Sequence, residues 1–299
     1  MNAPPFPANP SFGQYFGNWV WSGSRWVCTN TNGVRIVVQV FRASAPYTPS
    51  PGLISAVVEC VGGGADGGAA SGVSPLTNGG GGGGSGGYSR ITLAAALVLG
   101  GVNVVIGIGG GAAPPASNPL DYADGGTATS FGAFCVANGG IGGGGNAAAL
   151  SIWGFPGPGA PVGVGDIAVP GNPGGTGTSL VENSFSLNCI GGFGGAIWGG
   201  GGMTTLVGSG GVGPGLPGTG PGAGGSGACT NNNAVAAGEA GGRGANGICI
   251  VTEYCWADTI DDGCGCGPTG GARVAENAAA PSRGNGVDAE AASHGGRSE

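Results

Sequence analysis

The sequence predicts an all-β protein with negligible α-helix, built as an antiparallel sandwich or barrel-like core that carries glycine-rich loops. Short stretches alternate apolar and polar residues with a period of two, glycine-rich blocks separate them, and nothing longer than a turn has helical periodicity. The composition argues against disorder, because 76 of the 299 residues are glycine but only 8% are charged and 40% are apolar. Unfolded chains are usually highly charged and poor in apolar residues.

Residues 1–33 are predicted to form a Pro/Trp-rich module of their own. Four prolines within the first ten residues favour extended backbone. Trp19 and Trp21 then alternate around Val20, and Trp26 follows a Ser-Gly-Ser turn. This pattern predicts a small β-hairpin with aromatic residues on one face.

Residues 34–255 are predicted to form the main glycine-rich β domain. We expect at least six strands, over 34–43, 53–62, 88–94, 102–109, 129–138 and 246–254. Alternation places Val34, Ile36, Val38 and Val40 on one face, and such a pattern is typical of strands with one face on a core. Residues 256–299 lack apolar periodicity and are expected to be a flexible tail.

The glycine blocks between the strands could be linkers or ordered rods. The longest continues into a strand, in TNGGGGGGSGGYSRITLA at 77–94. Glycine can form a left-handed helix with three residues per turn and no internal hydrogen bonds, so its backbone groups need outside partners. Such polyglycine II helices can pack side by side only without side chains. A bulky residue at Gly82 should therefore disrupt a packed rod and be harmless in a linker.

The charge balance argues against nucleic acid and anionic membranes as partners. The net charge is −7, and all eight basic residues are arginine. Both kinds of partner require basic patches, which the sequence lacks. No apolar run approaches the ~20 residues of a membrane span, and the first residues lack the basic start and apolar core of a secretory signal.

Nine cysteines are present, and the odd count without a signal peptide argues against a disulfide framework. Cys60, Cys135, Cys189 and Cys249 lie in apolar, strand-like runs, where a free cysteine behaves as a small buried hydrophobe. The Cys-Gly-Cys at 264–266 is too weak a pattern for zinc. No metal and no cofactor are predicted.

No catalytic residue is predicted, and the chain is not expected to be an enzyme. A P-loop needs a lysine, which the chain lacks, and dinucleotide-type glycine patterns arise by chance in so glycine-rich a sequence. The only histidine, His294, falls in the predicted tail. Asp121 and Asp124 lie in a Pro/Asn/Gly turn, where aspartate commonly bonds the local backbone.

Five stretches carry a resemblance to a known family: VFRASAPYTPSPGLISAVVECVGGGADGG, GGGGGGSGGYSRITLA, VVIGIGGGA, a Thr-Ser-Phe-Gly stretch and the closing GANGICIVTEY. In this order they resemble the glycine-rich domain of bacteriophage tail fibre and tail-tip proteins, over about 36–255. NPSFGQYFGNWVWSGSRWV is similar to a short Trp-rich module of phage tail proteins. The resemblance implies a virion protein, made in the host cytoplasm without a signal peptide. Its expected partners are other tail proteins and a bacterial surface polysaccharide or outer-membrane receptor.

Exposed aromatic residues are the candidate contacts, because aromatic side chains stack on sugars and dominate binding hot spots. Tyr122, Trp153 and Phe155 are the candidate receptor contacts, within regions 112–124 and 146–170. Phe193 and Trp198 are further exposed candidates. The alternative for each is that it caps the core at a loop end.

Trp19, Trp21 and Trp26 are the candidate residues for docking on another virion protein. Three functions remain open: receptor recognition, a purely structural virion role (tail tip, fibre joint or capsid decoration), and a bacterial cell-surface protein. A homo-oligomer is expected, with a trimer as one form, since open sheet edges favour assembly.

Overall fold

The structure is a computed structural model that describes residues 11, 15–16, 19–21, 26–28, 34–71, 78–110, 122–147, 153–180, 188–207, 211–230 and 239–256. These residues form β-strands and one 3-10 turn, Ala95–Leu97. Every described strand pair is antiparallel except Asn146–Ala147 with Ala70–Ser71, which is parallel. The predicted all-β class is therefore confirmed.

The strands, in chain order, are β1 (Tyr15–Phe16), β2 (Trp19–Trp21), β3 (Trp26–Cys28), β4 (Val34–Phe41), β5 (Ala45–Tyr47), β6 (Leu53–Val61), β7 (Ala70–Ser71), β8 (Asn78–Gly79), β9 (Tyr88–Ala94), β10 (Val102–Val105), β11 (Thr129–Phe131), β12 (Cys135–Ala137), β13 (Asn146–Ala147), β14 (Trp153–Gly154), β15 (Ile167–Val169), β16 (Gly177–Leu180), β17 (Asn188–Ile190), β18 (Leu206–Val207), β19 (Val212–Gly213), β20 (Cys229–Thr230) and β21 (Ile248–Trp256).

The core is an antiparallel sandwich of two sheets. One sheet has the order β15-β9-β6-β21-β4, and the other has the order β12-β11-β10-β5. Val58 and Val251 of the first sheet pack with Val104 and Phe131 of the second in one buried cluster. Among the strands that the structure describes no barrel closes, so the sandwich is the correct one of the two expected architectures.

Strand β4 corrects one prediction. Val34, Ile36, Val38 and Val40 share a face as expected, but that face is solvent-exposed, with each side chain 50% to 60% accessible. The opposite face, with Val37 and Phe41, packs on the core. Both faces of VRIVVQVF carry apolar residues, so a period of two cannot tell which one points inward.

Two other predicted strands are shorter or divided. The stretch 129–138 is a hairpin of β11 and β12, because Gly132 takes a φ of 52° in the turn between them. Strand β10 ends at Val105, and the chain then leaves the sheet.

A buried carboxylate fastens the sandwich to the turn after β5. The side chain of Glu253 in β21 accepts hydrogen bonds from the Tyr47 hydroxyl at 2.6 Å, the Ser50 N–H at 3.0 Å and the Ser50 hydroxyl at 2.6 Å. Burial acts to raise the pKa of Glu253, but the hydrogen bonds from Ser50 and Tyr47 outweigh it and hold the pKa below its ordinary value. The charge is thus stabilised inside the core by donors.

The glycine blocks form a second body on the sandwich, which we call the glycine bundle. Its segments are 62–68, 79–87, 107–110, 123–127, 138–144, 155–161, 171–175, 191–195, 200–202, 214–218, 222–228 and 240–247. Apart from Gly79, the last residue of β8, these residues lie outside the strands, and each segment is hydrogen-bonded laterally to other segments of the bundle.

The hydrogen bonds of the bundle repeat every third residue. Gly62, Ala65 and Gly68 donate their N–H groups to one neighbour, at the carbonyls of Gly87, Gly84 and Gly81. The residues between them turn to two further neighbours: Gly63 and Asp66 donate to 127 and 124, and Gly64 and Gly67 donate to 245 and 242. Three residues per turn with only lateral bonds is the geometry of polyglycine II.

Segment 79–87 is the central rod of the bundle. Its N–H groups donate to 222–228, 138–144 and 172–175, and its carbonyls accept from 62–68, 157–160 and 192–195. All residues from 79 to 87 are buried. A rod with six neighbours is an ordered element, which excludes the linker interpretation of this glycine run.

Only glycine fits along most of this rod. A Cβ added to Gly82 would lie 1.8 Å from the carbonyl oxygen of Phe193, and one added to Gly81 would lie 1.9 Å from that of Phe155. Both contacts are far inside van der Waals distance, and both are to backbone, which cannot rotate away.

Replacing Gly82 with alanine should lower the free energy of unfolding by more than about 4 kcal/mol or prevent folding, because one methyl group separates neighbouring rods. Chemical denaturation followed by circular dichroism measures this value. Gly100→Ala is the matched control: a Cβ there has nothing within 4 Å, so we expect a gain of about 0.4–1 kcal/mol from the stiffer unfolded chain. Equal stability of the two variants would contradict close backbone packing.

Asp66 is the one carboxylate on the rod 62–68. Its Oδ1 accepts a hydrogen bond of 2.7 Å from the N–H of Gly244. Burial raises the pKa of Asp66 to about 6, with the Gly244 bond and the charge of Arg243 opposing the rise and the charge of Asp124 adding to it. The folded protein therefore binds this proton more tightly than the unfolded chain does.

The contribution of Asp66 to stability should consequently fall as the pH rises from about 4 to about 6.5, because the raised folded-state pKa favours folding only while Asp66 is protonated in the folded state. We expect Asp66→Asn, which retains the acceptor for Gly244, to remove this contribution to the slope and to add about 1 kcal/mol at pH 7 relative to the wild type, since the partial exposure of Asp66 screens its charge. Asp66→Ala loses the acceptor for the Gly244 N–H and should be less stable than Asp66→Asn at every pH. Denaturation at pH 4.5 and pH 7 tests this, and an Asn variant with the wild-type slope would contradict it.

Candidate binding surface

The glycine bundle has a sandwich end and a free end. Gly62 directly follows β6, Gly87 directly precedes β9, Asn138 directly follows β12, and Gly247 directly precedes β21. At their opposite ends the same segments lead into short strands that do not belong to the sandwich. We call this opposite end the distal end.

Three small sheets close the distal end. They have the orders β14-β16-β17-β18, β19-β20-β8 and β13-β7. An isolated bridge between Ala70 and Glu239 adds to them. The segments 72–77, 111–121, 148–152, 181–187, 208–210 and 231–238 lie outside the described residues.

A disulfide between Cys189 of β17 and Cys229 of β20 joins two of these sheets. Cys189 was predicted to be a free buried cysteine, and that prediction is wrong: it is buried but bonded. The two residues are 40 positions apart and lie in different sheets, so no spacing or register in the sequence indicates the pair. Cys60, Cys135 and Cys249 are free and buried, as predicted.

The three predicted receptor contacts lie on neighbouring segments near the distal end. Tyr122 forms a bridge with Gly144, whose N–H donates to the carbonyl of Phe155 at 2.8 Å. Trp153 begins β14, two residues before Phe155. Their side chains are 60% (Tyr122), 50% (Trp153) and 60% (Phe155) exposed. The sequence therefore found aromatic residues that the fold brings together at the surface, and their contact with a receptor stays a prediction.

The predicted contact region 146–170 is not one loop. Gly157 donates its N–H to Gly82, and Ala160 donates to Ser85, so this part is a rod of the bundle. Ile167–Val169 is strand β15, paired with β9 at the edge of the sandwich. The glycine and proline content of this region suggested a loop. A polyglycine II rod has the same composition, so composition alone does not distinguish the two. Only the beginning of the region belongs to the distal end.

The region 112–124 is also divided. Ala123 donates its N–H to the carbonyl of Gly143, and Asp124 accepts from the N–H of Asp66, so both belong to the bundle. Residues 112–121 lie outside the described part of the chain. Its candidate contact, Tyr122, is the first described residue after that gap.

The other two candidate aromatic residues, Trp198 and Phe193, pack against other parts of the fold. The ring of Trp198 lies 5.9 Å from that of Tyr88, the first residue of β9. Trp198 therefore lies at the sandwich end of the bundle and not at the distal end. The ring of Phe193 covers Gly175, where an added Cβ would lie 2.5 Å from the ring. The Phe193 ring therefore fills the space beside Gly175, which has no side chain of its own.

The Trp-rich hairpin is confirmed as a backbone pattern. Trp19 and Trp21 of β2 pair with Cys28 and Trp26 of β3, and β1 adds a third strand. The side chains of these residues lie outside the described part of the chain, so docking through Trp19, Trp21 and Trp26 stays a prediction.

Leu206 is an exposed side chain of the distal end that the sequence did not indicate. Leu206 of β18 is 67% exposed and pairs with Ile190 in the largest distal sheet. A single leucine after Met-Thr-Thr has no periodicity around it, so the sequence carries no signal for its position.

The exposed side chains of the distal end are of a kind that can contact a ligand. Exposed aromatic and aliphatic side chains can stack on sugar rings or fill apolar pockets. Within the described ranges, no group of three or more His, Cys, Asp or Glu residues is placed to hold a metal ion. Nor does the described chain contain a helix long and apolar enough to cross a membrane.

Comparison with known proteins gives no relative: no family model matches the sequence, and no curated protein does either.

Proposed function

We propose that this chain is a bacteriophage tail fibre or tail-tip protein that recognises the bacterial surface through the distal end of the glycine bundle. The observation that carries the proposal is the placement of three exposed aromatic residues, Tyr122, Trp153 and Phe155, on neighbouring segments near the end of the bundle that faces away from the sandwich. The resemblance to phage tail proteins supports a virion protein, and these exposed aromatic residues support a contact role for the distal end.

A rigid scaffold favours recognition because binding then costs little ordering of the protein. The rods of the bundle are bonded to each other along their length, and the Cys189–Cys229 disulfide ties two distal sheets together. Changes in the distal segments would leave the backbone lattice intact. Such an arrangement suits a protein whose contact residues vary with its receptor.

The ligand class that this surface fits is a polysaccharide of the cell envelope. Tyr122, Trp153 and Phe155 present aromatic rings, and rings of this kind stack on the apolar faces of sugars. The chain is low in charge, with 8% charged residues, which favours a neutral glycan over a strongly charged one. The proposal assigns no catalytic residue and no cofactor.

The combined replacement of Tyr122, Trp153 and Phe155 with alanine should reduce binding to host cells at least about tenfold, since aromatic hot spots each contribute more than about 1 kcal/mol. The measurement uses labelled full-length protein on a panel of bacterial strains and on their purified envelope polysaccharides. Exchange of residues 148–152 for a Gly-Ser segment is a second variant, which leaves the rod 155–161 in place.

Trp256→Ala is the matched control, because Trp256 is 65% exposed at the sandwich end. We expect it to bind as the wild type does, and all variants should keep the wild-type unfolding temperature. Unchanged binding by both distal variants would contradict receptor recognition at this end.

A purely structural virion role is the second candidate, and one observation favours it. The exposed apolar face of β4 lies on the sandwich and is suited to assembly rather than to receptor contact. A map of the virion separates the two functions: a receptor-binding protein places its glycine bundle at the outermost tip, whereas a joining or decorating protein is covered at both ends.

A further inference from the structure

A cleft lies where the corner between β4 and β5 meets the sandwich end of the glycine bundle. It holds about 250 Å³ and is lined by Arg42 and by residues 219–221 and 245–247. Arg42 directly follows β4, and residue 247 directly precedes β21. All of these lining residues belong to the described part of the chain. The function proposed for the distal end makes no use of this cleft.

Arg42 carries the charge of the cleft. Its side chain is exposed, and its guanidinium group has no hydrogen bond or ion pair with the residues that the structure describes. Among the lining residues there is no carboxylate that could neutralise it. A guanidinium group presents its N–H donors in a planar fork that matches two oxygens of an oxyanion. The group is therefore placed to bind an anion from solution.

The side-chain amide of Asn246 offers a second donor to the cleft. Its Oδ1 accepts a hydrogen bond of 2.8 Å from the N–H of Gly109. This bond fixes which way the amide is turned, because only the oxygen can accept it, and it leaves the Nδ2 hydrogens as donors. Within the described ranges, Nδ2 has no acceptor. Asn246 is also exposed, so a ligand in the cleft can reach it.

The wall at 219–221 has more donors than its backbone neighbour can satisfy. The carbonyl oxygen of Gly200 lies 2.7 Å from the Thr219 nitrogen, 3.2 Å from the Thr219 hydroxyl and 3.4 Å from the Gly220 nitrogen. A carbonyl oxygen has two lone pairs, so it cannot serve three donors fully. The Thr219 hydroxyl can rotate, and the Gly220 bond is the longest of the three. One of these two donors can therefore serve a ligand.

We propose that this cleft binds a small carboxylate, with its oxygens held by the Arg42 guanidinium and by the donors of Asn246 and of the wall at 219–221. A carboxylate carries one negative charge, which the single guanidinium balances. A phosphate carries up to about two near neutral pH, and no second cation lines the cleft while the chain as a whole carries a net charge of −7.

The size of the cleft limits the ligand. Its 250 Å³ lies below the range of about 300–1,000 Å³ that is typical of clefts for drug-sized ligands. A single acidic sugar unit or a smaller carboxylate is therefore the class that fits. The proposal concerns the sandwich end and does not depend on the function proposed for the distal end.

The test is titration of the isotope-labelled full chain with sodium glucuronate at constant ionic strength, followed by nuclear magnetic resonance. We expect saturable shifts of the Asn246 side-chain amide and of the Gly220 N–H. The dissociation constant should be about 0.1–10 mM, as expected for one charge-assisted contact supported by a few neutral donors. Glucose has a similar ring without the carboxylate and should cause no saturable shift.

Two variants test the assigned donors. Arg42→Gln removes the charge and should weaken glucuronate binding at least about tenfold. Asn246→Asp keeps an oxygen for the Gly109 N–H but replaces the donor nitrogen with a negatively charged oxygen, so it should weaken binding at least about tenfold as well. Arg90→Gln is the matched control: Arg90 is exposed on β9, does not line the cleft, and its loss changes the net charge by the same amount.

The control should bind as the wild type does, and circular dichroism confirms that each variant is folded. An absence of saturable shifts in the wild type would overturn the proposal, and so would equal binding by the wild type and both cleft variants. Glucose that binds as tightly as glucuronate would show that the carboxylate is not recognised. Inorganic phosphate is the last probe, and binding at least about tenfold tighter than that of glucuronate would overturn the assignment to a carboxylate.

Discussion

The contact of backbone with backbone inside the glycine bundle is the constraint on which the rest of the structure depends. Rods bond to each other through N–H and C=O groups, and at Gly82 the space for a methyl group is already filled by a neighbouring carbonyl. Removing side chains removes the apolar burial that stabilises most folds. Lateral hydrogen bonds between buried segments replace it, and each buried backbone group needs a partner there.

This constraint also explains the division of the chain into two bodies. The sandwich buries apolar side chains such as Val58 and Phe131 and anchors Glu253 through donated hydrogen bonds. It fixes the ends of several rods, because strands β6, β9, β12 and β21 continue directly into the bundle. The far ends of the rods are left to the small sheets and the Cys189–Cys229 disulfide. The distal end is therefore the part of the fold where sequence can change at least cost to packing.

Periodicity was enough to locate the sandwich strands, as Tyr88–Ala94 illustrates, and composition was enough to suggest rods at 79–87. Periodicity and composition do not suffice where two different structures share the same sequence pattern. In β4 both faces are apolar, so the exposed face was assigned to the core. In 155–161 a rod and a proline-glycine loop have the same composition, and only the partners of Gly157 and Ala160 distinguish them. Cys189 lies beside Cys229 because of tertiary packing, and no local spacing in the sequence indicates this pair.

Hydrogen exchange at the amides of residues 80–87 tests the central claim most directly. If the rod is bonded on all sides, these amides should exchange only through large-scale unfolding, as slowly as those of β6 and β21, although no regular helix or strand contains them. Exchange at the rate of an unstructured glycine chain would contradict the account, because it would show that the segment is a linker and that the distal end is not held on a rigid scaffold.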